Sequence, residues 1–276
     1  MRSAVDGPHP GFPPDMGLGY EVDDGVAIVT FARPEVLNAF DDDLGRAALE
    51  AITRAGDDES IRCVVLTGAG RAFSSGEDLA ALADGYARGE APDLGRILTE
   101  RYNPLVRAIT SAPKPVVAAL NGVAAGAGAS VALACDVRIA SEHAKLVFAF
   151  TSVALVPDSG AVWFLARMVG SAVAARLALA GAPLDAAAAH ALGIVDEIVA
   201  PDGFESRWRA VARDLARGPT LAYALTKELI ARSPQRSLDE QLEAEVVAQA
   251  RAGRSADHVE GVNAFISKRP PRFEGR

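Results

Sequence analysis

With 276 residues, half of them apolar, and a net charge of −8, the chain can bury a sizeable core, and its interleaved charges argue against a nucleic-acid surface. Cys63 and Cys135 each sit inside an apolar stretch, which reads as two packed thiols and excludes a disulfide framework or a cysteine metal site. The N-terminus lacks a basic, apolar leader and no uninterrupted apolar run is long enough to cross a bilayer, so a cytoplasmic protein without a membrane partner is expected.

Residues 1–19 are rich in Gly and Pro without hydrophobic period, which predicts a flexible tail and folding from about Tyr20. Val26 to Phe31 reads as a buried strand ended by Arg33-Pro34, and Asp41 to Ala55 as a helix. Ile61 to Thr67 is a second strand leading into the loop Arg71-Ala-Phe-Ser-Ser-Gly-Glu-Asp78. A helix is expected to follow through Ala83, then a Gly-rich acidic loop from Gly85 to Asp93, then a long helix to about Ile109.

Val116 to Leu120 is a third strand, and the segment Asn121-Gly-Val-Ala-Ala-Gly-Ala-Gly128 on to Asp136 reads as strand, Gly-rich turn, then helix. A short strand at Asp136 to Ala140 and a β-rich stretch at Lys145 to Phe150 precede Val156-Pro-Asp-Ser-Gly160, which opens another helix. After Val195 to Val199 the chain reads as helical to its end. Strands separated by helices and then a helical tail predict an α/β core over residues 20–200 and a helical region over 201–276, with no internal repeat in evidence.

The two Gly-rich strand exits, around Ser75-Gly76 and around Ala127-Gly128, are the strongest chemical signal. N–H groups there are available to a ligand, and a helix beginning at Ala127 aims its positive dipole end at the same place. Together they suit an oxyanion hole, each donor of which is worth roughly 3 kcal/mol in a transition state. Tight turns and close helix–sheet packing use glycine for the same steric reasons. Gly126-Ala-Gly128 lacks both the Gly-Lys-Ser/Thr ending of a P-loop and the third glycine of a dinucleotide fingerprint, so nucleotide chemistry is disfavoured.

Ala72-Phe-Ser-Ser-Gly-Glu-Asp-Leu79 and Asn121 to Gly128 resemble the two oxyanion-hole motifs of the crotonase, or enoyl-CoA hydratase/isomerase, superfamily, and Asp257 to Phe273 is similar to its terminal helix and basic end. The resemblance runs in order from about Tyr20 to Gly275. It implies a crotonase-type spiral of ββα units with a helical C-terminal trimerisation region, assembling as a homotrimer or a dimer of trimers. It implies an acyl-CoA substrate whose thioester oxygen is held by the N–H groups of Ser75 and Ala127, with no permanently bound cofactor and coenzyme A present only as part of the substrate. Ser74, Gly76, Glu77, Asp78, Leu79 and Gly126 belong to the matching segments, Arg33 matches a coenzyme A-contacting segment, and Lys227 or Lys268 is placed to meet phosphates.

The departures bear most on the reaction. The two glutamates of the family's hydratases align with Ser130 and Phe150 here, and an apolar ring cannot orient water or exchange its protons. Asp158, in Leu155-Val-Pro-Asp-Ser-Gly160, resembles the acidic residue of dienoyl-CoA isomerases, some enoyl-CoA isomerases, chlorobenzoyl-CoA dehalogenases and unsaturated phenylacetyl-CoA isomerases. An Asp at that place is also a good helix N-cap. Glu77 is a second candidate acid–base group.

An enoyl-CoA isomerase-type proton shift through an enolate, using Asp158, is the leading expectation. A hydratase and a catalytically silent acyl-CoA-binding protein are the alternatives. Gly128-Ala-Ser130 also resembles the nucleophile segment of Clp-type serine proteases, but Lys145 to Phe150 supplies no histidine to take the serine's proton. Leu82, Tyr86, Trp163 and Phe164 are expected either to line an apolar acyl pocket or to lie in the core.

Overall fold

The structure, a computed structural model, describes residues 11–276; the first ten residues of the expected tail lie outside the described ones. The rest of that expectation is corrected, because a 3-10 turn at Pro14–Met16 leads into strand β1 (Leu18–Asp23), paired antiparallel with β2 (Val26–Phe31). Asp24 and Gly25 connect them, with φ of 49° and 77°, which matches the twist of a two-residue hairpin. Helix α1 (Asp42–Asp57) begins where the Asp41 carboxylate accepts from the Leu44 N–H at 2.8 Å.

Strands β3 (Cys63–Gly68) and β4 (Ala72–Ser74) follow. The helix expected through Ala83 does not form: the chain makes turns over 79–82, and a short helix α2 (Ala83–Ala87) lies partly where a loop was expected. Helix α3 (Leu94–Ile97), a π-helical turn at Leu98–Tyr102 and helix α4 (Asn103–Ser111) then run on as one segment. Strands β5 (Val116–Leu120) and β6 (Val123–Ala125), helix α5 (Ala127–Ala134), and strands β7 (Val137–Ser141) and β8 (Lys145–Val147) come next. The β-rich stretch ends at Val147 and gives way to a 3-10 segment, Ala149–Val153.

Helix α6 (Ala161–Ala180), strand β9 (Leu184–Asp185), helix α7 (Ala186–Ala191) and strand β10 (Glu197–Val199) complete the core sheets. Helices α8 (Pro201–Ala216), α9 (Thr220–Arg232), α10 (Leu238–Ala252) and α11 (Ala256–Ile266) follow. The larger sheet has the order β1-β2-β3-β5-β7-β10, parallel except for β1, and the smaller has the order β4-β6-β8-β9, parallel except for β9. A recurring unit emerges that the sequence does not display: in β3-β4, β5-β6 and β7-β8 the first strand joins the larger sheet and the second joins the smaller, with helix after each pair.

The strands read as continuous apolar runs because both faces of the larger sheet are covered. Ala27, Val29, Val64, Leu66, Val116 and Ala118 pack toward α1, while Val26, Ile28, Cys63, Val65, Val117 and Ala119 pack against Phe204, Trp208 and Ala212 of α8. The first helix of the expected C-terminal region is therefore part of the core. Burial pushes both thiols, Cys63 and Cys135, up to about 12. Neither is expected to react with a disulfide reagent at pH 8 in the folded protein, and both should titrate once it is unfolded in denaturant. Rapid labelling of the native protein would overturn that placement.

Helix α6 qualifies the membrane expectation, since by length and composition it is apolar enough to cross a bilayer. Gly170, at φ 74° and ψ 161°, breaks it into Ala161–Val169 and Ser171–Ala180, each short of the roughly 20 residues a span requires. Ala161, Phe164, Leu165, Ala174 and Ala178 pack it onto the core.

Candidate active site

The two Gly-rich turns meet at the C-terminal ends of β4 and β6. Gly76 and Gly128 are required there by space: a methyl group at Gly76 would lie 2.7 Å from the Ala125 carbonyl oxygen, and one at Gly128 would lie 2.6 Å from the Ser74 oxygen. Gly76 at φ +90° and Gly126 at φ +52° also occupy backbone regions that side chains disfavour.

The hydrogen bonds of the first turn differ from the expected pattern. The Ser75 N–H donates to the Leu37 carbonyl at 2.9 Å, so it has no capacity left for a ligand. The Gly76 N–H donates to Ser74 Oγ at 3.1 Å, and Ser74 Oγ in turn donates to the Asn38 carbonyl at 2.8 Å. Phe40 bridges this segment in parallel fashion, donating to Gly76 O at 2.7 Å and accepting from the Asp78 N–H at 2.9 Å. That pattern turns the N–H of Glu77 away from Phe40. Among the described residues, the N–H groups of Glu77 and Ala127 donate to nothing. Ala127 is the first residue of α5, where a helix leaves its N–H unpaired.

The Asn38 side chain anchors the turn. It accepts from the Arg33 N–H at 2.9 Å and donates to the Ala69 and Ala72 carbonyls at 2.9 and 2.7 Å. Sequence reasoning missed this residue, although an Asn shortly after Arg33-Pro34 is a turn signal.

Asp158 is not the cap of α6. The N-cap is Gly160, at φ 81° with no side-chain hydrogen bond, and the Asp158 carboxylate instead accepts from Ser159 Oγ at 2.8 Å. Its backbone carbonyl accepts from the Ala161 N–H at 2.9 Å and from Ser130 Oγ at 3.1 Å. Ser159 and Ala154 sit at φ of 51° and 58°, so the loop carrying Asp158 is strained, as loops that hold reacting groups tend to be. Burial raises the Asp158 pKa above the usual 3.8, the Ser159 hydrogen bond opposes this, and the negative charge of Glu77 adds to it. Ser130, buried, thus ties α5 to the Asp158 loop, and Phe150 is a buried ring.

The Glu77 carboxylate accepts from Arg101 Nη1 at 2.9 and 2.8 Å and from the Tyr102 hydroxyl at 2.6 Å, which leaves it poorly placed to shuttle protons. Arg101 also pairs with Asp42. The sequence offered no sign of this cluster.

Several residues expected to contact coenzyme A have partners within the chain. Arg33 donates to Ala39 O at 2.7 Å and pairs with Asp78 at 3.0 Å and Asp41 at 3.1 Å, so its charge is matched within the turn. Asp78 also accepts from the Ala81 N–H at 3.2 Å. Lys227 is corrected: it pairs with Asp136 at 2.7 Å and donates to Ile109 O at 2.9 Å, with its side chain only 12% exposed. Lys268, at the end of α11, and Leu79 are exposed. Phe164 lies in the core, whereas Trp163 is partly exposed with the Arg167 guanidinium 3.6 Å from its ring centroid.

A family model described as enoyl-CoA hydratase/isomerase matches residues 21–276. The chain is 44% identical over 255 residues to the 1,2-epoxyphenylacetyl-CoA isomerase of Escherichia coli, covering 92% of this chain and 97% of that one. It is 46% identical over 259 residues to a Rhodobacter capsulatus protein named as a probable enoyl-CoA hydratase, covering 94% and 98%. Among solved structures, an enoyl-CoA hydratase from Polaromonas superposes with a TM-score of 0.87 at 34% identity, over 93% of this chain and 99% of that one. The alternation of strands between two sheets, the pair of unpaired amides and this likeness along nearly the whole chain agree, and the protein belongs to the enoyl-CoA hydratase/isomerase family, with the crotonase fold.

Proposed function

We propose that the protein is an acyl-CoA isomerase that moves a proton through a thioester enolate. Asp158, ionised, removes a proton from the carbon next to the thioester or conjugated with it. The electron pair moves onto the thioester oxygen, which the Glu77 and Ala127 N–H groups hold. Asp158, now protonated, returns the proton at another carbon, so the double bond shifts and nothing else is gained or lost. The carrying observation is one carboxylate, partly desolvated and within reach of the Glu77 charge, on a loop that Ser130 ties to the helix opening at the unpaired Ala127 N–H, with Ser130 and Phe150 at the positions aligned with the hydratase glutamates. Coenzyme A enters only as part of the substrate, and Lys268 is the exposed cation proposed to meet its phosphates.

The test is exchange in deuterium oxide with a panel of acyl- and enoyl-CoA thioesters, followed by mass and by double-bond position. Exchange that depends on Asp158 supports the reading. Hydration of crotonyl-CoA at an enzymatic rate would favour the hydratase named among the relatives, and binding without exchange would favour a silent acyl-CoA-binding protein.

The C-terminal helices support the assembly that the resemblance implies. Ile230, Leu238, Val246, Val247, Phe265 and Ile266 of these helices expose 64–84% of their surface, apolar side chains that a second copy could cover. Light scattering is expected to give a mass of three or six chains, and Phe265→Asp with Ile266→Asp is expected to shift it toward one. A monomeric wild-type protein would end that proposal.

A further inference from the structure

We infer that Arg101 and Tyr102 are positioning residues, which act through the Glu77 carboxylate to aim the Glu77 backbone N–H into the site. The inference rests on the assignment of that N–H as an enolate donor. Glu77 is unusual in being fixed from both sides: its backbone is flanked by the two hydrogen bonds of Phe40, and its side chain by three donor contacts from consecutive residues. Those residues end the π-helical turn at Leu98–Tyr102, a local widening of the helix of the kind found at functional sites.

The cluster is built, not incidental. Arg101 is buried with its side chain 9% exposed, and its Nη1 also reaches the Phe40 carbonyl at 3.4 Å, linking the side-chain and backbone restraints. Gly45 of α1 makes room for it, since a methyl group there would lie 2.4 Å from Arg101 Cγ. Burial and the Glu77 charge push the Tyr102 pKa well above its ordinary value, so the phenol stays a donor across the working range. A free Glu77 side chain would swing with its loop, and the amide would lose the fixed direction on which preorganised stabilisation depends.

Three variants probe the unit: Tyr102→Phe, Glu77→Gln and Gly45→Ala. The last places a better helix former inside α1, so a loss there reports displacement of Arg101 and not a weaker helix. Each is expected to lower kcat by about 10- to 100-fold with KM little changed, the size of effect that small misplacements of a reacting group produce. The direct readout is the carbonyl stretch of bound phenylacetyl-CoA labelled with carbon-13 at the thioester carbon. The wild-type protein should lower its frequency and the variants should lower it less, a change that a purely structural role would not produce. Glu77→Gln should also move the acid limb of the pH–rate profile downward, because the charge that raises Asp158 is removed. A full shift and full turnover in all three variants would overturn the inference and leave the donor assignment standing. No shift in the wild-type protein would overturn both.

Discussion

Asp158→Asn is expected to lower α-proton exchange by about 10²- to 10⁴-fold, the contribution of a positioned acid–base group, while raising thermal stability at neutral pH. Both follow from one environment. Burial raises the folded-state pKa above 3.8, with the Glu77 charge adding to it. A carboxylate raised in this way is protonated more readily folded than unfolded, so it opposes folding increasingly as pH rises from 3.8 through the raised value, and fully above it. Asn keeps an oxygen for the Ser159 hydroxyl but carries no charge to desolvate. The stability gain should therefore be full only above the raised value and shrink as pH falls from there toward 3.8, in paired melting curves of the two proteins. Intact exchange would place the base elsewhere, and a lower melting temperature at pH 7 would mean that the carboxylate is held by favourable contacts after all. The wild-type rate should fall with acidification through a midpoint above 3.8, since the base must be ionised to act.

The framework of the site was legible in the sequence because its signals are local. A buried apolar run followed by a Gly-rich turn and small helical residues specifies β5, β6 and α5 within about 20 residues, and the same reading placed β3 before the first turn. What could not be read were partners distant in the chain. Which amide of Ser75-Gly76-Glu77 stays unpaired depends on Leu37 and Phe40, some 40 residues upstream, so the local sequence does not tell the paired Ser75 N–H from the unpaired Glu77 N–H.

Lys227 reads as a cation free to meet phosphates because nothing near it in sequence reveals Asp136, 91 residues away. The alternative of Asp158 as a cap arises because Pro-Asp-Ser-Gly is a capping pattern, but Ser159 and Gly160 both turn left-handed and start α6 later. The Arg101 and Tyr102 cluster needs a π-helical turn that no local pattern announces. β1 was a different kind of miss, since Asp24-Gly25 between alternating residues is a hairpin signal within the sequence itself.

Gly76→Ala is the second large effect, expected to lower kcat by about 10²-fold or more. The added methyl would stand 2.7 Å from the Ala125 carbonyl oxygen and 3.1 Å from the Ala127 nitrogen, both backbone atoms that cannot rotate aside as a side chain would. Relief has to come from moving one Gly-rich turn away from the other, and that movement widens the gap between the Glu77 and Ala127 N–H groups. The residue would also be held at φ +90°, a strain worth roughly 1–3 kcal/mol in stability. Gly193→Ala separates the two contributions: it imposes a comparable φ of +73° in the connection before β10, with nothing within 4 Å of the new methyl. It should lose stability and keep turnover. If Gly76→Ala melts no lower than Gly193→Ala and also keeps its exchange rate and its carbonyl shift, then the spacing of the two turns does not set the oxyanion site. If only Gly76→Ala loses the shift, the close approach of the turns is what holds the two amides in register.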